Sequence, residues 1–265
     1  MGTANVLNGS ASLSVSTLPV GVDSIIATYG GNANYGISAS APLSQTVQIA
    51  TTRTTLASSA NASNAGGALT LSATVAGNGG IPGGQVTFFD GSVNLGAGTL
   101  NGTGLTTLTV VGTHWTVGAH TLTAVYAGDA SDSGSTSAPY TQNVVLAVTQ
   151  IQMASSLNPA ALGAAITFSG TVTSNGGTPG GTLKFLDGTN TLGTATVNGA
   201  GIGTLLVSNL VLGSHNITAT YAGDSMDAGT TSQALVQVIQ PANIGATLTT
   251  NQNPAIFGNL SLIHI

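Results

Sequence analysis

The feature that most constrains this chain is its internal repetition. Tyr29-Gly30-Gly31-Asn32 returns as Tyr126-Ala127-Gly128-Asp129 and again as Tyr221-Ala222-Gly223-Asp224, at spacings of 97 and 95 residues. Pro82-Gly83-Gly84 returns as Pro179-Gly180-Gly181, and Phe88-Phe89-Asp90-Gly91 as Phe185-Leu186-Asp187-Gly188. Asn158-Pro159-Ala160 returns as Asn253-Pro254-Ala255. Ordered matches at one spacing mean that one structural unit recurs along the chain. Residues 1–49 read as the C-terminal half of a repeat, 50–147 and 148–240 as complete repeats, and 241–265 as the truncated start of a further one. The closing Ser261-Leu262-Ile263-His264-Ile265 leaves the pattern and resembles the peptide that adaptor read-through adds to assembled sequences, so nothing is built on it.

Within each repeat the residues alternate with period two. Leu69, Leu71, Ala73 and Val75 share one parity, and Ile166, Phe168, Gly170 and Val172 take the same places. Val86 and Phe88 match Leu183 and Phe185. Leu122, Ala124 and Tyr126 match Ile217, Ala219 and Tyr221. Period two puts such residues on one face of a strand, with the threonines between them on the other. Asp90-Gly91 and Asp187-Gly188 are hairpin signals, and so are Asn101-Gly102 and Asn198-Gly199. About seven short strands per repeat, with no helical periodicity, predict an all-β chain of immunoglobulin-like sandwiches.

Composition narrows the function. Only 3% of residues are charged, against about 25% in an ordinary soluble protein. All seven acids are aspartates, and the only fixed cations are Arg53 and Lys184. Nucleic acid is excluded as a partner, because neutralising phosphates needs clustered Lys and Arg. An anionic membrane surface is disfavoured for the same reason. No stretch is apolar for long enough to span a bilayer as a helix. Cysteine is absent, which removes disulfides and thiolate metal sites. Met1 is followed by polar residues without a basic or apolar region, so an export signal is expected outside this chain.

The runs Leu18-Pro19-Val20-Gly21 to Asn32, Thr182 to Gly188 and Gly213 to Tyr221 resemble the signature of bacterial immunoglobulin-like repeats. The likeness covers nearly the whole chain. It implies antiparallel sandwiches strung like beads on a rod in an extracellular or cell-surface bacterial protein, acting as spacers, stalks or adhesive segments. The leading expectation is a non-enzymatic structural role, with neighbouring repeats as partners. The alternatives are an adhesin segment that binds a glycan or protein through loops at one end of the sandwiches, and accessory repeats of a secreted enzyme whose catalytic domain lies elsewhere.

No residue is assigned to catalysis or to a cofactor. His120 and His215 each precede a repeat tyrosine by six residues, where the first repeat has Asp23. A catalytic histidine is not exchangeable for aspartate, so Asp23, His120 and His215 are read as structural corner residues. With His114 in a loop and His264 in the tail, the four histidines read as scattered, with no zinc or triad grouping. Asp129 with Asp132 and Asp224 with Asp227 raise calcium. Calcium takes roughly six to eight oxygens, so two carboxylates per loop fall short, and the pattern reads better as a turn that caps backbone amides. Trp115 stands where other repeats have Leu18 and Leu210, so it is assigned to the core with Tyr29, Tyr126 and Tyr221. Tyr35 and Tyr140 are the candidates for exposed contacts. Lys184 as an isopeptide donor is set aside, because the second repeat has Thr87 there.

Overall fold

The computed structural model describes residues 1–112, 114–250, 254, 256–258 and 263–264. Asn253 and Ala255 of the last repeat motif lie outside them, as do Ser261, Leu262 and Ile265 of the divergent tail. The chain divides into two compact units, Met1–Ser63 with Ala68–Val145, and Asn64–Gly67 with Leu146–Ile265.

The first unit begins with two small antiparallel ladders. Strand β1 (Gly21–Ile25) pairs with β4 (Leu43–Val47), and β2 (Thr28–Tyr29) pairs with β3 (Ser38–Ala39). Then come β5 (Thr52–Ser58), β6 (Ser63–Asn64), β7 (Leu69–Gly77), β8 (Gln85–Asp90), β9 (Val93–Thr99), β10 (Leu105–Val110), β11 (Gly118–Tyr126), β12 (Ser135–Thr136) and β13 (Tyr140–Val145). One sheet has the order β10-β7-β5. The other runs β6-β13-β11-β8-β9, with β12 on β11.

The second unit repeats this plan. Its strands are β14 (Thr149–Ser155), β15 (Ala160–Ala161), β16 (Ile166–Ser174), β17 (Thr182–Asp187), β18 (Asn190–Thr196), β19 (Ile202–Val207), β20 (Gly213–Tyr221), β21 (Thr230–Thr231) and β22 (Leu235–Gln240). The sheets are β14-β16-β19 and β15-β22-β20-β17-β18. Each complete repeat therefore has seven strands of six or more residues and two of two residues. The short β15 joins β22 in parallel. The last described pair is β23 (Thr249–Thr250) with β24 (Ile263–His264).

The core lies between the two sheets. From one face come Leu69, Leu71, Ala73 and Val75, and from the other Val86, Phe88, Leu122, Ala124 and Tyr126, all buried. The second unit packs Ile166, Phe168 and Val172 against Leu183, Phe185, Ile217, Ala219 and Tyr221. Each large apolar side chain removed from water contributes about 1.5–3 kcal/mol before ordering costs. The two cores fill the same space differently. Gly98 faces Thr106 in the first unit, where the second has Ala195 and Gly203. A Cβ on Gly98 would lie 2.2 Å from Thr106 Oγ1, so bulk at one position requires its absence at the other.

Two turns explain recurring motifs. Gly128 has φ +85°, and a Cβ there would meet Asp132 O and Gly134 N, each at 2.7 Å. Gly223 is held the same way at φ +84°, which is why glycine follows the tyrosine by two residues. The Asn101-Gly102 and Asn198-Gly199 signals, expected as hairpins, are corrected. They connect β9 to β10 and β18 to β19, strands that lie in different sheets. The Asn101 carboxamide oxygen accepts from the amides of Thr103 and Leu105. That side-chain cap turns the chain from one sheet to the other.

Candidate functional site

A polar cluster lies at one end of the larger sheet in each complete repeat. Asp90 ends β8 and is paired in register with Leu122 of β11. His120, two residues earlier on β11, has the same face parity and reaches that aspartate. Its Nδ1 is 2.6 Å from Asp90 Oδ2, and its Nε2 is 2.8 Å from the Thr116 carbonyl. The second unit copies the arrangement. His215 Nδ1 is 2.6 Å from Asp187 Oδ2, and Nε2 is 2.8 Å from the Val211 carbonyl.

Both ring nitrogens thus face acceptors. A carbonyl only accepts, so Nε2–H donates to it. An ionised carboxylate only accepts, so Nδ1–H donates as well. Both bonds are therefore complete when the imidazole is protonated and the carboxylate ionised. For His215, the Asp187 carboxylate and the Val211 carbonyl raise the pKa above its ordinary value against the opposing effect of burial. For His120, burial pulls downward, but the Thr116 carbonyl and Asp90 prevail and the pKa rises. The result is a hydrogen-bonded clip between two strands and a loop, ion-paired when the imidazole is protonated. Asp23, in the equivalent place on β1, is half-buried, and its Oδ2 has no hydrogen-bond partner among the described residues.

His114 corrects the reading of scattered histidines. The segment from Val110 to Trp115 is two residues longer than its counterpart from Val207 to Leu210, and it turns through Gly112 at φ +82°. His114 Nε2 comes to 3.2 Å from Asp90 Oδ2. Asp90, His114 and His120 thereby bring three ligand atoms within 4.8 Å of one another. Spacing along the sequence hid this grouping because its members come from a strand end, a loop and a non-consecutive strand. Trp115, fully buried, donates from Nε1 to the Val110 carbonyl at 3.3 Å. Its ring stands edge-on to both histidines, with centroids 4.9 Å from His114 and 5.5 Å from His120.

The aspartate pairs sit at the opposite ends of the same strands. Asp129 Oδ1 accepts from the amides of Ser131 and Asp132, and Asp224 Oδ1 from those of Met226 and Asp227. The Ser131 and Asp132 amides hold the Asp129 carboxyl below the usual carboxylate range. Burial works to raise that of Asp224, but the amides of Met226 and Asp227 outweigh it. Asp132 is raised by burial, then by Asp129. Asp227 is buried and accepts from the Ser174 hydroxyl. The oxygens a calcium ion would need are largely engaged by the chain itself.

Tyr126 and Tyr221 are buried, and Tyr29 is half-buried. The Tyr221 hydroxyl donates to Asp224 Oδ2 at 3.2 Å, and burial followed by the Asp224 charge pushes its phenol pKa upward. Tyr35 is 69% exposed. Tyr140 is half-buried beside the Asn61 amide. Lys184 is exposed on β17.

The sequence reading passed over two glutamines. Gln142 and Gln237 lie opposite His120 and His215 in register and are fully buried. Gln237 accepts from the Ser155 hydroxyl at 2.6 Å and donates to the Leu157 carbonyl at 2.9 Å. The signal was present, since Gln45, Gln142 and Gln237 recur at the repeat spacing, with Gln45 facing Asp23. Two open surface grooves are present, one lined by Val148, Gln150 and residues 173–175, the other by Gly98, Thr99, Asn101 and residues 105–107.

The model of the family described as bacterial Ig-like domain (group 3) matches residues 1–48, 55–145 and 153–240. No curated protein matches the chain. Among solved structures, the chain is similar to the fibronectin(III)-like modules of Clostridium thermocellum CbhA. The identity is 19% over 73% of this chain and 97% of that one, with TM-score 0.30. It is also similar to the Yersinia pseudotuberculosis adhesin InvE, at 18% identity over 68% of this chain and 58% of that one, TM-score 0.33. A third is the Escherichia coli adhesin FdeC, at 14% over 71% of this chain and 64% of that one, TM-score 0.31.

Proposed function

The chain belongs to the family of bacterial Ig-like domains of group 3, and from that premise we propose that it is a run of non-enzymatic spacer repeats in an extracellular or cell-surface protein. The modules are 50–147 and 148–240. One observation carries the reading. The polar residues that stand out in the sequence, His120, His215, Asp129 and Asp224, make equivalent bonds within each repeat. They fasten strand ends and turns. Hydroxyls and amides hydrate the surface in place of charge, and no helix among the described residues is long and apolar enough to cross a membrane.

A second reading, adhesion to an extracellular glycan or protein, is favoured by two features. Tyr35 presents its ring to solvent, and the loop after β10 differs in length between the complete repeats. A third role, as accessory repeats beside a catalytic domain, is compatible with the same modules. Solid-phase binding of the full chain to arrayed glycans and extracellular proteins separates the first two. The spacer reading expects no saturable binding. Saturable binding that falls on Tyr35→Ala or on shortening the 112–116 loop would replace it with adhesion.

A further inference from the structure

We propose that Asp90, His114 and His120 form a binding site for a divalent transition-metal ion, such as Zn2+ or Ni2+, at one end of the second repeat. The proposal is independent of the spacer reading. It starts from a difference between the repeats. The corner needs one histidine, as His215 with Asp187 demonstrates in the second unit. His114 is additional. Its counterpart is Asn209, and it reaches the corner because its loop is two residues longer.

The geometry suits a metal. Asp90 Oδ2 lies 2.6 Å from His120 Nδ1 and 3.2 Å from His114 Nε2, and all three ligand atoms fall within 4.8 Å. Tetrahedral coordination with bonds of about 2.05 Å puts neighbouring ligands roughly 3.3 Å apart. The His114 contact already has that length, and the His120 contact needs to widen by less than an ångström as the metal takes the place of the Nδ1 proton, which is released to water. The outer contacts are also in place. His120 Nε2 donates to the Thr116 carbonyl at 2.8 Å, which directs Nδ1 toward the site and is the usual support of a metal-bound histidine. Two imidazoles and one carboxylate select zinc, nickel or copper over calcium or magnesium. All three side chains are partly open to solvent, at 15%, 26% and 13% exposure for Asp90, His114 and His120, so water can complete the coordination. Among the described residues the ion-pair contacts of Asp90 are to these two histidines and to no Arg or Lys.

Trp115 makes the test specific, since it is the only tryptophan and touches both imidazoles edge-on. The full chain, without any histidine tag, is titrated with NiCl2 and separately with ZnCl2 at about pH 8, where ligand protons compete least. Trp115 fluorescence and calorimetry are followed. The expected result is saturable quenching by Ni2+, competed by Zn2+, with one site per chain. His114→Asn, which installs the residue of the third repeat, weakens binding by about tenfold or more, whereas His215→Asn leaves it unchanged. An unshifted Trp115 emission spectrum in the metal-free variants confirms that the second repeat is folded. Absence of a saturable Trp115 response overturns the proposal, and so does a response of equal affinity in His114→Asn.

Discussion

Replacing Gly98 with alanine tests whether the two cores are alternative solutions to one packing problem. The new methyl would stand 2.2 Å from Thr106 Oγ1 and 3.1 Å from the Thr107 carbonyl, more than an ångström inside ordinary contact with the hydroxyl. Gly98 does not have a left-handed φ, so backbone strain plays no part. Thr106 is buried and branched at Cβ, so it has few rotamers to escape into. Overpacking of this kind costs about 1–3 kcal/mol, offset by about 0.5–1 kcal/mol from removing a strand glycine. Thr106→Gly alone loses a buried side chain. The double variant Gly98→Ala/Thr106→Gly recreates the pairing of Ala195 with Gly203, and the conformational gain from alanine cancels in the cycle. A favourable coupling of about 1–3 kcal/mol is expected. Urea unfolding of the full chain, read through Trp115, reports on the second repeat alone. Additivity within about 0.5 kcal/mol would mean that the two positions do not compete for the same space.

Three further outcomes follow from the corners and turns. The raised pKa of His215 means that its contribution to stability is complete below the unfolded value of about 6.5 and fades as pH rises through the folded pKa. Calorimetry at about pH 5.5 and pH 8 should find the third repeat more stable at the lower pH, and His215→Asn should remove that difference. Asp224→Ala strips the caps from the Met226 and Asp227 amides and should cost about 1–2 kcal/mol. Asp224→Asn should cost less than Asp224→Ala by thermal melting, because Asn32 already caps the amides of Asn34 and Tyr35 at 2.9 Å in the first repeat, while only the acceptor for the Tyr221 hydroxyl is lost. Calcium should leave the melting temperature of the full chain unchanged, since a bound ion would raise it.

The sandwich was legible because its signal is local. Alternation at Leu69 to Val75 or Ile166 to Val172 assigns the inner face without reference to any partner strand, and the repeat spacing tells which runs are equivalent. The corner was only half legible. His120 and His215 stood out by position, but their aspartates lie 30 and 28 residues away and arrive through pairing of non-consecutive strands, which alternation does not encode. His114 was read as a loop residue because the route of a loop depends on what it packs against, here Trp115 inserted beneath it. Gln142 and Gln237 looked like ordinary polar strand residues. Only their inward parity and their recurrence marked them as buried. The turns after β9 and β18 were located correctly but assigned to hairpins, because an Asn-Gly signal marks a reversal without saying which sheet the chain enters next.

Two self-contained sandwiches of one design, each closed by its own clip and turn, should unfold independently. Single-molecule stretching of the full chain between inert handles tests this most directly. Two separate unfolding events are expected, each lengthening the chain by roughly 300 Å, as about 90 residues at about 3.5 Å each require once the folded length is subtracted. A single event releasing about twice that length, or gradual extension without discrete events, would contradict it.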